Sequence, residues 1–348
     1  MGTEKITDPA AENQPAGKIA PGIYQIQIPL ATSLIADLSP MNAYLIEGRS
    51  GWVLIDTGWN TPIAQRALDS AFESLGLTFK DISSIIITHS HPDHMGQAGR
   101  IKQLSPKTQI MMHHLESALM KSRYINSRES DEKMSALLRE HGLPEGDFEL
   151  SGSFAMPALE FVNSAPPDEV FYGGEILPAG LYNTEVIWTP GHSSGHICLY
   201  EPENRILFSG DHILPSITPN ISYYTGSGDN PLGDYHCSLN KLINLPVTLV
   251  CPGHENSFAD LKSRIEAILE HHRQRESEIQ KAIDGQSRSA YQIARLISWN
   301  LPGQKWEQFP PMQKRLAITE TISHLEHLRW QGKLRKFTRN NQFFYSLG

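Results

Sequence analysis

The sequence predicts a mixed α/β chain with a small helical appendage at its C-terminal end. Three observations carry that expectation. Short apolar runs at 82–87, 185–188, 205–208 and 248–251 each lead into a turn bearing His or Asp. Residues 61–75 show helical spacing, with Ile63, Ala67, Leu68, Ala71 and Leu75 on one stripe between strand-like runs. Beyond residue 285 the order is helix, helix, then two short strands.

Each element follows from its local pattern. Residues 1–21 are polar and aperiodic, which predicts a disordered leader. A first domain is expected over 22–285. In it, runs at 43–47 and 52–55 flank Gly48-Arg49-Ser50-Gly51 and read as a hairpin. A strand at 82–87, a helix at 97–104 and a strand at 109–112 follow. Residues 115–175 break this rhythm and read as an insert. It holds helices at 115–127 and 130–141, then a Pro- and Gly-rich stretch with Phe154, Met156, Phe161 and Phe171. An insert of that length is long for a connection, so it reads as a lid. Strands return at 185–188, 196–200 and 205–208. Residues 213–235 read as a long loop, followed by a strand at 248–251 and a charged helix at 258–283. Asp284-Gly285-Gln286-Ser287 marks the boundary of a second domain, 286–348. Its helices at 290–299 and 314–331, and its paired strands 333–337 and 342–345, make a winged-helix-like pattern.

Composition narrows the function. The 348 residues suit about two domains. Thirty Lys and Arg against 38 Asp and Glu give a net charge of −8, which argues against a chain-wide nucleic-acid coat. The charge is uneven, however. Residues 286–348 carry ten Lys or Arg and three Asp or Glu, a net of +7, which leaves −15 on residues 1–285. No apolar run approaches about 18 residues, so no membrane span or membrane partner is expected. Three dispersed cysteines and no signal-peptide core point to a reducing, cytoplasmic setting. The outlying count is histidine, at 15.

Thr88-His89-Ser90-His91-Pro92-Asp93-His94 follows directly on Ile85-Ile86-Ile87, so four ligand-type side chains fall within six residues of a strand end. Pro92 opens a helix and puts Asp93 and His94 in its first turn. Imidazole with carboxylate suits zinc, iron or manganese. Downstream runs end in Thr189-Pro190-Gly191-His192, Ser209-Gly210-Asp211 and Pro252-Gly253-His254. Each is an apolar strand, a glycine and one ligand. His113, His114, His141, His236, His271, His272 and His327 lack such context and read as structural or surface residues. Cys198 and Cys251 read as buried packing residues.

This constellation resembles the metallo-β-lactamase superfamily, with the ligand set of its glyoxalase II type; Asp211 stands where true β-lactamases usually carry Cys. The resemblance spans roughly 22–285 and implies an α/β (α+β) fold, a four-layer αβ/βα sandwich with a dinuclear metal site at one edge. It implies that His89, His91 and His192 hold one divalent cation, zinc first with iron or manganese as alternatives. Asp93, His94 and His254 would hold the other, and Asp211 would bridge them. It assigns Asp56 the role of bracing the histidine loop and Asp93 that of taking a proton. His196 is expected beside the ligands. The appendage resembles the winged helix of the lactamase-beta-2-like branch, with Ser289-Ala290-Tyr291 opening it and Ile322-Ser323-His324-Leu325 in its second helix.

Two cations sharing a water generate a hydroxide nucleophile, so no Ser or Cys nucleophile is required. The expected activity is metal-assisted hydrolysis of a small-molecule ester-like bond, a thioester or lactone. His212, Tyr223, Tyr224, Phe154 and Met156 are the candidates to contact that substrate. The second reading is an endoribonuclease or phosphodiesterase whose basic appendage grips RNA. The appendage is alternatively an internal docking element or a homodimer contact.

Overall fold

Strands that are apolar on both faces need cover on both faces, and the chain supplies it in four layers. The computed structural model describes residues 15–30, 40–147, 161–179, 182–299 and 304–348. The first sheet holds seven strands in sequence order: β1 (Gly17–Ala20), β2 (Ile23–Ile28), β3 (Met41–Ile46), β4 (Trp52–Ile55), β5 (Ile82–Ile87), β6 (Gln109–His113) and β7 (Glu169–Phe171). It is antiparallel from β1 to β4 and parallel from β4 to β7. The second sheet comprises β8 (Ile176–Ala179), β9 (Tyr182–Trp188), β10 (Ile197–Glu201), β11 (Ile206–Gly210) and β12 (Leu249–Pro252), in the order β12-β11-β10-β9-β8. Only β11 and β12 run parallel within it.

The helices are α1 (Pro62–Ser74), α2 (Pro92–Met95), α3 (Ala98–Leu104), α4 (His114–Met120), α5 (Ser127–Glu140), α6 (Pro231–Leu242), α7 (Leu261–Ile283), α8 (Ala290–Ala294) and α9 (Pro311–Trp330). Between the sheets, Ile23, Tyr44, Ile55 and Ile86 meet Val186, Leu199 and Phe208. Helices α1 and α3 cover the other face of the first sheet through Leu68, Phe72 and Ile101. Helices α6 and α7 cover the second through Leu239, Ile265 and Ile268. This is the expected four-layer sandwich. All the ligand-bearing turns leave strand C-termini at one edge of it.

Several boundaries differ from the sequence reading. Residues 17–20, assigned to the leader, form β1, because the Pro21-Gly22 turn folds them back onto β2; Gly22 has a φ of 67°. The loop expected over 213–235 gives way at Pro231 to α6. Asn230 caps that helix by accepting from Gly233 N at 3.1 Å, and Pro231 occupies its first position. The described part of the 115–175 insert is built into the fold. Its end supplies β7, and its helices share an apolar core with the C-terminal elements: Leu119, Met134 and Leu138 pack with Ile279, Tyr291, Ile318 and Ile322. The C-terminal elements end in a two-stranded sheet, β13 (Leu334–Arg339) with β14 (Gln342–Leu347).

Where α9 meets α6 and α7, histidines cluster. His272 Nδ1 lies 3.3 Å from His324 Nε2, and the His236 ring lies 5.4 Å from His272 and 5.0 Å from His327. Burial, then neighbouring positive charge, holds His272 and His324 well below the ordinary imidazole value and His236 down to about 4. The folded cluster therefore refuses protons that the unfolded chain accepts near pH 6.5. Below that pH the unfolded state binds more protons, so stability falls as pH drops. Thermal melts at pH 7.5 and 5.5 should show a Tm loss of several degrees, and His324→Asn should shrink that difference. An equal difference in wild type and variant would place the acid sensitivity elsewhere.

Candidate metal centre

The site is built on Asp56, the residue after β4. Its backbone is left-handed, with a φ of 57°, and its N donates to Ile86 O at 3.0 Å. That conformation turns a buried carboxylate across the end of β5. Oδ1 accepts from Thr88 N and Oδ2 from Thr88 Oγ1, both at 2.8 Å. Oδ2 also accepts from His94 Nδ1 at 2.7 Å. With its Nδ1 thus protonated, His94 presents Nε2 to the centre. Thr57 N donates to His94 O at 2.7 Å and holds the short α2 in place. Since Thr88 Oγ1 gives its proton to Asp56, it accepts from His89 Nδ1 at 3.1 Å, which turns His89 Nε2 inward.

The remaining ligands come from the second sheet and its loops. His192 Nδ1 donates to Asn220 O at 3.0 Å, leaving Nε2 for the centre. Asn42 N donates to Gly253 O at 2.7 Å, and Tyr44 OH to Pro252 O at 2.7 Å; together they fix the turn that carries His254. His91 Nδ1 lies 2.9 Å from His89 Nε2 and 3.1 Å from His192 Nε2. Asp93 Oδ2 lies 3.2 Å from His254 Nε2. Asp211 lies between the two halves, with Oδ1 3.4 Å from His94 Nε2 and Oδ2 3.7 Å from His254 Nε2 and 3.8 Å from His192 Nε2.

These residues form three overlapping groups whose ligand atoms lie within 4.8 Å of one another: His89, His91 and His192; His89, His94 and Asp211; Asp93, His94 and His254. All seven residues expected to ligate are thus brought together. The set fits a divalent cation on two counts. His94 Nε2 and Asp211 Oδ1 are buried without a hydrogen-bond partner, and the donors are the imidazole and carboxylate such ions take. Charge is matched as well. Burial opposes ionisation of Asp211, but His94 and His254 hold it well below the carboxylate range; Asp93, likewise opposed by burial, is lowered to about 2, chiefly by His94.

The close approach of Asp211 depends on glycine. A Cβ on Gly253 would fall 2.4 Å from Asp211 Oδ1 and 2.8 Å from His94 Cε1. One on Gly210 would fall 2.7 Å from His196 Nε2. His196 is fully buried beside the ligands, its ring 5.2 Å from that of His89 and its Nδ1 2.9 Å from Thr189 Oγ1.

The expected substrate contacts fare differently. His212 is fully buried between Tyr235 and His196, with ring centroids 4.7 and 5.6 Å away, and no face of it is open to a ligand. Tyr224 belongs to the core beneath α9, and Tyr223 packs against that core while its N donates to Thr319 O. His212 and Tyr224 are thus buried and Tyr223 is partly buried. Phe154 and Met156 lie outside the described residues.

The sequence reading missed Glu116. This buried side chain accepts from Ser90 N at 2.7 Å, from Gly195 N at 2.8 Å and from Ser193 Oγ. It staples the histidine loop to the His192 loop. The motif reading could not find it, because it lies in α4 inside the insert. Asn220 and Glu320 were missed as well. Asn220 Nδ2 donates to Glu320 Oε2, which links α9 to the residue that orients His192.

Gly253→Ala is therefore expected to displace Asp211 and to reduce bound metal, read by elemental analysis, without lowering Tm by more than a few degrees. Full metal content in that variant would show that the turn has room to spare.

The comparisons agree with this geometry. A probable metallo-hydrolase of Bacillus subtilis (strain 168), YqjP, is 25% identical over 87% of this chain and 92% of its own. The acyl-coenzyme A thioesterase MBLAC2 of Bos taurus is 28% identical over 62% of this chain and 74% of its own. A crystal structure of a metallo-beta-lactamase family protein from Thermus thermophilus superposes with a TM-score of 0.80 at 28% identity, covering 95% of this chain and all of that one. The metallo-beta-lactamase superfamily model matches residues 36–254, and with most of its length and its ligand-bearing strand ends inside that match, the chain belongs to that superfamily.

Proposed function

We propose that the protein is a dinuclear metallohydrolase that cleaves an ester-like bond of a small acyl substrate, a thioester first and a lactone second. The observation that carries this reading is the convergence of seven imidazole and carboxylate ligands around Asp211. His89, His91 and His192 would hold one cation and Asp93, His94 and His254 the other, with Asp211 shared; zinc is the first candidate, then iron or manganese. Such cations, when bound, polarise a carbonyl and lower the pKa of water. By the family resemblance, Asp93 would take up the proton of an attacking water. Among the ligands, His91 and His192 are partly exposed, whereas His89, His94 and His254 are enclosed, so substrate enters on the His91 side. Thiol nucleophiles find no support, since burial pushes Cys198 and Cys251 up to about 12. The thioesterase named among the relatives supports the choice of bond.

The net +7 of residues 286–348 favours the nuclease as a second reading, so one experiment should weigh both. Metal-loaded protein is assayed on butyryl thioesters, a lactone and single-stranded RNA, beside elemental analysis. Two metal equivalents are expected, with thioester or lactone hydrolysis abolished by chelator and restored by zinc. Asp211→Ala should lose at least one equivalent and reduce turnover by at least about 100-fold. A single equivalent even in excess metal would overturn the shared role of Asp211. RNA cleavage with salt-sensitive binding, and no acyl hydrolysis, would replace the proposal with the second reading.

A further inference from the structure

After α4 the helix widens into one π-helical turn, Lys121–Ile125. Such turns are rare and cluster at functional sites. This one carries Arg123 and Tyr124. Tyr124 OH donates to Ser90 O at 2.8 Å, which ties the turn to the histidine loop between His89 and His91. The Arg123 guanidinium lies over the Tyr224 ring at 4.7 Å. Tyr223 N donates to Thr319 O on α9, and Arg315, one turn earlier on that helix, is near enough to Arg123 for their charges to act on one another. Both arginines are only partly exposed.

The local charge is one-sided. The positive charge of Arg123 acts on His91 and on Arg315. Among the described residues no carboxylate oxygen lies within ion-pairing distance of Arg123. Glu116, the acid that acts on it, already accepts from Ser90, Ser193 and Gly195. Asp131 acts on Arg315, not on Arg123. Burial opposes the Arg123 charge, but Tyr224, Tyr124 and Glu116 more than offset it, so the guanidinium stays charged with no carboxylate on its fork. Its planar fork matches carboxylate and phosphate oxygens.

We propose that Arg123, assisted by Arg315, is an anion-binding subsite beside His91 that receives a carboxylate or phosphate of the substrate while the scissile carbonyl lies at the metal centre. This rests on the acyl-hydrolase reading above and adds a substrate class to it. The anion has two possible sources, a phosphate on the leaving thiol or a carboxylate at the far end of the acyl group.

Two substrate pairs distinguish them: butyryl-coenzyme A against butyryl-N-acetylcysteamine, and succinyl- against butyryl-N-acetylcysteamine. In Arg123→Gln the kcat/KM ratio of anionic to neutral partner should fall by roughly 10-fold to 100-fold, the scale of one lost charge-assisted hydrogen bond. A fall in the first pair assigns the phosphate, and one in the second the carboxylate. Arg123→Lys should recover part of the ratio, and Arg315→Gln should lower it less. Metal content and Tm are measured in each variant, and Arg315→Gln carries the test if Arg123→Gln does not fold. Unchanged ratios in both pairs would overturn the proposal. If no thioester is turned over, calorimetric titration of the metal-loaded protein with pyrophosphate and with succinate decides separately. Weaker binding of either anion by Arg123→Gln keeps the subsite while the thioester reading falls, and equal binding overturns the subsite.

Discussion

The carboxylate of Asp56 is the constraint on which the site depends. Enclosed at the end of β4, it accepts from the backbone and hydroxyl of Thr88 and from the ring of His94. One side chain thus fixes the start of the histidine loop, the tautomer of His94 and, through Thr88, that of His89. A buried anion with three donors is stable only when all three are in place, so the loop has one arrangement. The left-handed backbone at Asp56 is strain held in place by those bonds. Glu116 repeats the device across the sandwich, gripping Ser90 on one loop and Gly195 on the other. Two carboxylates that are not themselves ligands therefore set the spacing between ligands from two sheets.

The ligands were legible because each one follows a short apolar strand, and strand ends are where a two-sheet fold places side chains at an edge. Asp56 was legible only through the family resemblance, which assigns it the bracing role. Glu116, Asn220 and Glu320 were not, since they act through tertiary contacts between segments 26 to 100 residues apart. The aromatic candidates misled for a related reason. A tyrosine pair in a Pro- and Gly-rich loop looks like pocket lining, but the pair packs under α9, a helix nearly a hundred residues later. The unrecognised α6 is a different case, because Asn230-Pro231 is itself a helix-start signal that the surrounding Gly and Pro residues obscured.

Pattern and charge change near residue 285, yet the packing runs across that point. Leu119 and Met134 from the insert share a core with Ile318 and Ile322 from α9, so neither part buries its apolar face without the other. The same contact reaches the metal centre. Glu320, whose carboxyl is pushed up to about 7 by burial, accepts from Asn220, and the carbonyl of Asn220 orients His192. The C-terminal elements thereby help to hold a ligand of the site.

That coupling changes how the positive charge of the appendage reads. Lys336 and Arg329 pair with the buried Glu326 at 2.9 and 2.6 Å, and Lys333 approaches Glu276 on α7 at 3.6 Å. Arg315 feels the charges of both Arg123 and Asp131. Three of the ten basic residues therefore face acids within the fold. A nucleic-acid grip needs an exposed basic stripe, since its affinity comes from many simultaneous phosphate contacts. A small acyl substrate needs only one or two guanidinium groups at a fixed distance from the metal centre.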